Sequence, residues 1–291
     1  MATPQKRKPA WLKVNPFWSE NYRQVKKLLL AAGLSTVCQE ANCPNIRECF
    51  GNKTATFLIL GRICTRGCSF CNIQKGVPLE IDPLEPMRVA QAAKILDLKY
   101  VVITSVTRDD LRDGGASIFA ESIDQVRKTN PGIKIEVLIP DFRGSSENLE
   151  IVLKAKPDVL NHNLETVKKL YPLVRKGADY DRSLELIRKA KEYDKKLITK
   201  SGIMVGLGEK WEEIVESMQD LRKVGCGILT IGQYLSPSEN HLPVDRYYTP
   251  EEFGKLKEIA LQLGFSGVHS GPLVRSSYLA HQLSVDVGLI P

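Results

Sequence analysis

No run of 18 consecutive apolar residues occurs in the 291-residue chain, and the stretch from Met1 to Pro9 is basic and polar without an apolar core. The first absence argues against a membrane-spanning helix and the second against a secretory signal, so a protein of the reducing cytoplasm is expected. The phosphate-cradling pattern Gly-x-x-x-x-Gly-Lys-Ser/Thr and the zinc-protease pattern His-Glu-x-x-His are both missing. Gly206-Leu207-Gly208 follows an apolar run but lacks the third glycine of a dinucleotide fingerprint, which leaves it a turn. Beyond residue 71 there is one cysteine, Cys226, with no cysteine or histidine near it, and it reads as a small buried hydrophobe. The charge balance, 41 Lys+Arg against 34 Asp+Glu for a net +7, favours acidic partners without implying nucleic acid. The basic pairs Lys168-Lys169, Arg175-Lys176, Arg188-Lys189 and Lys195-Lys196 fall on helical segments or their ends and read as solvated faces.

What the chain does have is six of its seven cysteines between residues 38 and 71. In a reducing compartment such thiols bind metal in preference to pairing. They form two triples. Cys64-Thr65-Arg66-Gly67-Cys68-Ser69-Phe70-Cys71 places three thiols at offsets of four and three in a loop where Gly67 gives the backbone room to turn. No fourth cysteine follows within the next hundred residues, so a four-iron cluster held here keeps one iron open to another ligand; a partial zinc site is the alternative. Cys38, Cys43 and Cys49 stand at offsets of five and six, which do not match paired zinc knuckles. A second cluster is expected there; the competing reading is one site with spare cysteines.

From residue 54 onward strand-like and helix-like segments alternate. Apolar, β-branched runs begin at Thr56, Tyr100, Ile133, Val159, Leu197 and Ile228. Between them apolar residues recur at helical spacing: Val89, Ala93 and Leu96; Phe119, Ile123 and Val126; Leu186, Ala190 and Tyr193; Ile214, Met218 and Leu221. A helix over residues 19–32 comes earlier, and Phe253, Leu256, Ala260 and Leu263 mark a last one. Six strands each followed by a helix or long connection predict an α/β chain, a partial (β/α)6 TIM-like barrel. The expected divisions are an N-terminal extension (1–53), beginning with a loosely draped arm over 1–16, the barrel (54–265) and a C-terminal tail that closes it (266–291). The first strand, read over 56–63, runs into Cys64 and puts the cysteine loop at the C-terminal rim, where such sheets carry their chemistry. Asn161, Asn163 and Glu165 alternate onto one face at that rim, with Lys200 opposite; ligand contacts and simple capping both fit them. His162, of opposite parity, reads as a core histidine. Asp109-Asp110 and Asp113 read as a capping or solvated acidic loop, with a ligand contact as the alternative.

Cys-x-x-x-Cys-x-x-Cys with Phe70 before the last cysteine resembles the radical S-adenosylmethionine (SAM) signature. Joined to the Cys38, Cys43, Cys49 triple and to Arg275-Ser276-Ser277-Tyr278 near the C-terminus, it resembles the lipoyl synthase family over residues 38–278. The resemblance implies two [4Fe-4S] clusters. Cys64, Cys68 and Cys71 hold one, whose open iron binds SAM; Cys38, Cys43, Cys49 and Ser277 hold an auxiliary one. It implies insertion of two sulfur atoms at C6 and C8 of a protein-bound octanoyl-lysine, with two SAM per turnover and the auxiliary cluster as sulfur source. Spacing alone does not single out Ser277. Asn163, Glu165 and Lys200 then become candidate SAM contacts, and Phe70 is expected beside the adenine or the cluster. The implied partners are octanoylated carriers, namely E2 lipoyl domains and the glycine cleavage H protein, with ferredoxin or flavodoxin as electron donor; no nucleic acid, no membrane and a monomer are expected. The family often has histidine after the Arg-Ser-Ser-Tyr motif, whereas Leu279 stands here and His281 lies two further on. Alternatives are another radical SAM sulfur-inserting enzyme, of the biotin or tRNA methylthio type, and a non-catalytic metal-bearing nucleic-acid-binding protein.

Overall fold

The computed structural model describes residues 7–14 and 18–289. Of the expected arm over 1–16, residues 1–6, 15 and 16 lie outside them; within the rest, Ala10–Leu12 forms one 3-10 turn. The chain divides into two compact units, one of residues 14–66 and 72–160, the other of residues 1–13, 67–71 and 161–291.

In the first unit, Ser19 accepts a hydrogen bond from the Tyr22 N–H and starts the helix Glu20–Ala31, which buries Tyr22, Val25 and Leu29. Strand β1 (Ser35–Thr36) pairs antiparallel with β2 (Thr56–Ile59), and between them lie short helices Val37–Glu40 and Ile46–Gly51. The strand expected over 56–63 is broken: Leu60 (φ 67°) and Gly61 (φ 88°) turn the chain left-handed. Glu85 accepts the Leu60 N–H at 2.7 Å and Arg108 donates to the Leu60 carbonyl at 3.3 Å, which holds the bend. The chain then enters β3 (Ile63–Cys64), paired with β4 (Gln74–Lys75). Strand β5 (Tyr100–Ser105) pairs parallel with β2 and with β6 (Lys134–Leu138), and β7 (Val159–Asn161) follows, for an order of β1-β2-β5-β6-β7. Helices Glu85–Ile95, Ala116–Thr129 and Ser146–Lys154 alternate with the strands. Phe57, Ile59, Ile103, Ile135 and Val137 are fully buried, each contributing roughly 1.5–3 kcal/mol of burial. Asp113 accepts from the Gly115 and Ser117 N–H groups, the capping role expected of it.

In the second unit β8 (Ile198–Val205), β9 (Ile228–Gln233) and β10 (Gly267–Gly271) pair in parallel in that order. Strand β10 was not expected: Gly-Val-His-Ser-Gly has too few β-branched residues to be read from pattern. Helices Tyr180–Tyr193, Trp211–Lys223 and Pro250–Gln262 alternate with these strands, the last opened by a Thr249/Glu252 capping box. Helix Ala280–Asp286 follows; a Cβ at Gly267 would lie 2.6 Å from Val287, so glycine is needed for that segment to approach.

Candidate functional site

The first half of the cysteine loop is anchored in the first unit. The Thr65 N–H and hydroxyl both donate to the Thr107 carbonyl, and the Asp109 N–H donates back to Thr65 Oγ1 at 3.0 Å. Arg66 is buried. Its Nε and Nη2 grip the Asp109 carboxylate at 2.7 and 2.8 Å, and Nη2 also meets Asp141 at 2.7 Å. Burial alone would lower the guanidinium pKa, but the two aspartates outweigh it and hold the pKa above its ordinary value. Asp109 therefore secures the cysteine loop instead of capping or facing solvent, and its neighbour Asp110 pairs with Arg108. The Cys64 thiol accepts the Arg66 N–H at 3.4 Å.

The second half, Gly67–Cys71, belongs to the other unit. The Ser69 N–H donates to the Val174 carbonyl and its hydroxyl to the Leu173 carbonyl. The His241 ring lies 3.1 Å from the Cys71 carbonyl and 2.8 Å from Ser238 Oγ. Phe70 packs against a cluster of Val174, Leu207, Tyr234 and Val244.

At the end of β7, Asn163 and Glu165 meet: Asn163 Nδ2 donates to Glu165 Oε1 at 3.0 Å. Glu165 is held at φ 68°, its N–H on the Gly202 carbonyl and its own carbonyl on the Met204 N–H. A non-glycine residue in that region stores strain and marks a place the surroundings dictate. Burial holds the Glu165 carboxyl above the usual carboxylate range, against the pull of Arg175 and the Asn163 hydrogen bond. Arg175, read as part of a solvated pair, is instead half-buried: it donates to Tyr171 Oη and Ser183 Oγ and lies in the electrostatic reach of Glu165 and Cys68. Asn161 and Asn163 converge on Ser276, the Asn161 amide donating to it at 2.9 Å and the Ser276 hydroxyl donating to Asn163 at 2.8 Å. Lys200 is buried one alternation below Gly202, near His269, whose imidazole is held below its ordinary pKa by burial and then by Lys200. His162 is fully buried, as its parity predicts. Gly206-Leu207-Gly208 is a closed turn whose N–H groups at 206 and 207 bind the Glu209 carboxylate.

Cys38, Cys43 and Cys49 share one neighbourhood in the first unit. Burial, reinforced by Cys43, pushes the Cys38 thiol up to about 11; burial, reinforced by Cys38 and Cys43, pushes Cys49 up to about 12. None of the seven cysteines is in a disulfide, and Cys226 is buried as expected. Among the described residues no three His, Cys, Asp or Glu side chains close around a single ion position. The donor set is soft sulfur in two triples, the chemistry of iron-sulfur ligation, and a metal taken up by Cys38, Cys43 and Cys49 would have to displace their protons. Asn72, next after Cys71, donates to the Glu40 carbonyl within that triple, and Arg62 meets Glu40 at 3.5 Å.

Residues 58–221 match the Radical SAM superfamily. Among solved structures, the FeFe-hydrogenase maturase HydG from Carboxydothermus hydrogenoformans is similar in fold, with a TM-score of 0.59 at 18% identity over 92% of this chain and 68% of that one. The fold is thus the α/β, mostly parallel one of radical SAM enzymes, as expected, and membership implies SAM and a [4Fe-4S] cluster. Within that class the relatives are specific. The chain is 56% identical over 96% of its length to the lipoyl synthase of Rubrobacter xylanophilus, of which it covers 87%, and 55% identical over 96% to that of Caldicellulosiruptor saccharolyticus, of which it covers 98%. The chain belongs to the lipoyl synthase family of sulfurtransferase enzymes.

Arg66, Asp141, His241 and Ser276 are contacts the sequence reading did not assign, while Asp109 and Arg175 were read as capping or solvated. Arg66 sits inside the cysteine motif and Ser276 inside Arg-Ser-Ser-Tyr, so position in a motif was an available signal for those two; Asp141 and His241 carry none. No helix among the described residues is long and apolar enough to cross a membrane.

Proposed function

We propose that the chain inserts two sulfur atoms, at C6 and C8, into an octanoyl group amide-linked to a lysine of a lipoyl carrier protein. The observation that carries this reading is the joint presence of the Cys38, Cys43, Cys49 and Cys64, Cys68, Cys71 triples and Arg275-Ser276-Ser277-Tyr278 in a chain of this family. In this reading Cys64, Cys68 and Cys71 hold the cluster that binds SAM, and Cys38, Cys43, Cys49 and Ser277 hold the auxiliary cluster that is the sulfur source. Cluster and SAM together supply a 5'-deoxyadenosyl radical, which is needed because a saturated C–H bond is beyond any side-chain base.

The protein's own part is to bind and orient. Asn163 and Glu165 present an amide and a carboxylate to the polar groups of SAM, with Lys200 deeper on β8. Arg175 sets positive charge between Glu165 and Cys68. Phe70 closes the apolar wall behind the loop. Two hydrogen atoms are removed, so two SAM molecules are used per lipoyl group. E2 lipoyl domains and the glycine cleavage H protein are the carriers, ferredoxin or flavodoxin supplies electrons, and the protein acts as a cytoplasmic monomer without nucleic acid or membrane. Residues 1–53, 54–265 and 266–291 serve as auxiliary-cluster extension, barrel and closing tail.

The test is anaerobic reconstitution with iron and sulfide, then incubation with SAM, dithionite and an octanoyl-lysine peptide followed by mass spectrometry. Reconstitution to about eight irons per chain is expected, with a gain of two sulfurs on the peptide and two 5'-deoxyadenosines per lipoyl group. SAM cleavage with the octanoyl group intact overturns the substrate, and zinc in place of iron overturns the reaction.

A further inference from the structure

Ser276 stands between two groups that the proposed reaction uses separately. Its hydroxyl donates to Asn163 Oδ1 at 2.8 Å and accepts from Asn161 Nδ2 at 2.9 Å, while Asn163 passes its own N–H to Glu165 at 3.0 Å. The hydrogen bonds run in one sense, from the Asn161 amide to the Ser276 hydroxyl, from that hydroxyl to the Asn163 carbonyl oxygen and from the Asn163 amide to Glu165. Both asparagines are buried, so the hydroxyl cannot swing away without leaving their polar groups unsatisfied.

Ser276 is also fixed to its neighbour. The Tyr278 N–H donates to the Arg275 carbonyl at 3.0 Å, which makes Ser276 and Ser277 the two central residues of one tight turn. The entry to that turn is clamped: Arg275 Nη1 donates to the Gln233 carbonyl at 3.1 Å, and the Val274 carbonyl lies where a Cβ on Gly232 would be, 2.1 Å away. With the entry held by β9 and the first corner held by two asparagines, the position of the second corner follows that of Asn163.

We infer that Ser276 is a positioning residue that couples the Asn163–Glu165 SAM contact to the placement of Ser277, so that SAM and the auxiliary cluster each change the protein's affinity for the other. The inference rests on the roles proposed above for Asn163, Glu165 and Ser277. Such coupling is reciprocal, so it can be read from SAM binding alone.

The experiment measures the SAM dissociation constant by anaerobic equilibrium dialysis in two reconstituted full-length forms. One holds both clusters; the other carries Cys38→Ala, Cys43→Ala and Cys49→Ala and holds only the SAM cluster. With native Ser276 the two constants differ about fivefold or more. Ser276→Ala brings the ratio to about one, and Ser276→Thr, which keeps the hydroxyl, restores it. A native ratio of one, a ratio that survives Ser276→Ala, or a folded Ser276→Thr without the ratio overturns the inference. If Ser276→Ala does not fold, Asn161→Ala, which removes one of the two bonds, is measured in its place: a reduced ratio supports the coupling and an unchanged one overturns it. Ser277→Ala separates the underlying reading. Loss of the ratio there with its persistence in Ser276→Ala leaves the Ser277 ligand role standing and removes only the coupling; persistence in Ser277→Ala removes the ligand role.

Discussion

Arg66 lies in the three-residue gap between Cys64 and Cys68 and gives its guanidinium to Asp109 and Asp141. Removing it takes the buried cation from Asp141 and leaves Asp109 only the exposed Arg143, which costs about 3–5 kcal/mol. Arg66→Ala is therefore expected to lower stability in denaturant titrations by that order and to reduce the iron retained after reconstitution. Arg66→Lys keeps the charge but loses the planar fork and is expected to fall between. Unchanged stability and full iron in Arg66→Ala would show the network to be incidental. That Cys64, Cys68 and Cys71 share one loop was legible because they stand at offsets of four and three. The partners of Arg66 were not, because Asp109 is 43 residues away and looks like any acidic loop residue. Arg175 was misread for a related reason: beside Lys176 it has the look of a solvated pair, and only the fold brings Glu165 to it.

At the scale of elements, the approach of the C-terminal segment to β9 depends on the missing side chain at Gly232. A Cβ there would meet the Val274 carbonyl, and the backbone has to shift. Gly232→Ala is expected to cost about 1–3 kcal/mol, as overpacking does. Because the displaced segment carries Ser277, reconstituted iron should drop to about half, with the SAM cluster kept. Iron assay and thermal melting check both, and full iron would separate the segment from the auxiliary site. Strand β5 could be read to the residue because Tyr100-Val101-Val102-Ile103-Thr104-Ser105 is continuous and fully strand-like. Strand β10 could not, since its two glycines serve close approach and carry no strand preference. The break after Ile59 was hidden too, because Leu60 continues an apolar run yet takes a left-handed backbone.

For the whole molecule, the alternation of strands and helices made the α/β class plain, while the two-unit division, which cuts through the cysteine loop, has no counterpart in composition. The net charge of +7 bears on the substrate. If the carrier is an acidic domain, encounter with it is electrostatically assisted and screened over about 10 Å at 0.1 M salt. KM for an octanoylated lipoyl domain is expected to rise several-fold from low to high salt, while KM for a short octanoyl-lysine peptide barely moves. Equal salt dependence for both would mean that the charge plays no part in carrier recognition.

The cysteine loop also bears on engineering. Thr65 is bound to Thr107, Arg66 to Asp109 and Asp141, Ser69 to residues 173 and 174, and Phe70 to an apolar cluster built from four separate segments. Four of the positions that the motif writes as x, Thr65, Arg66, Ser69 and Phe70, therefore have partners of their own. The octapeptide is not a portable cassette: moved to another barrel it would carry its thiols and leave behind everything that aims them.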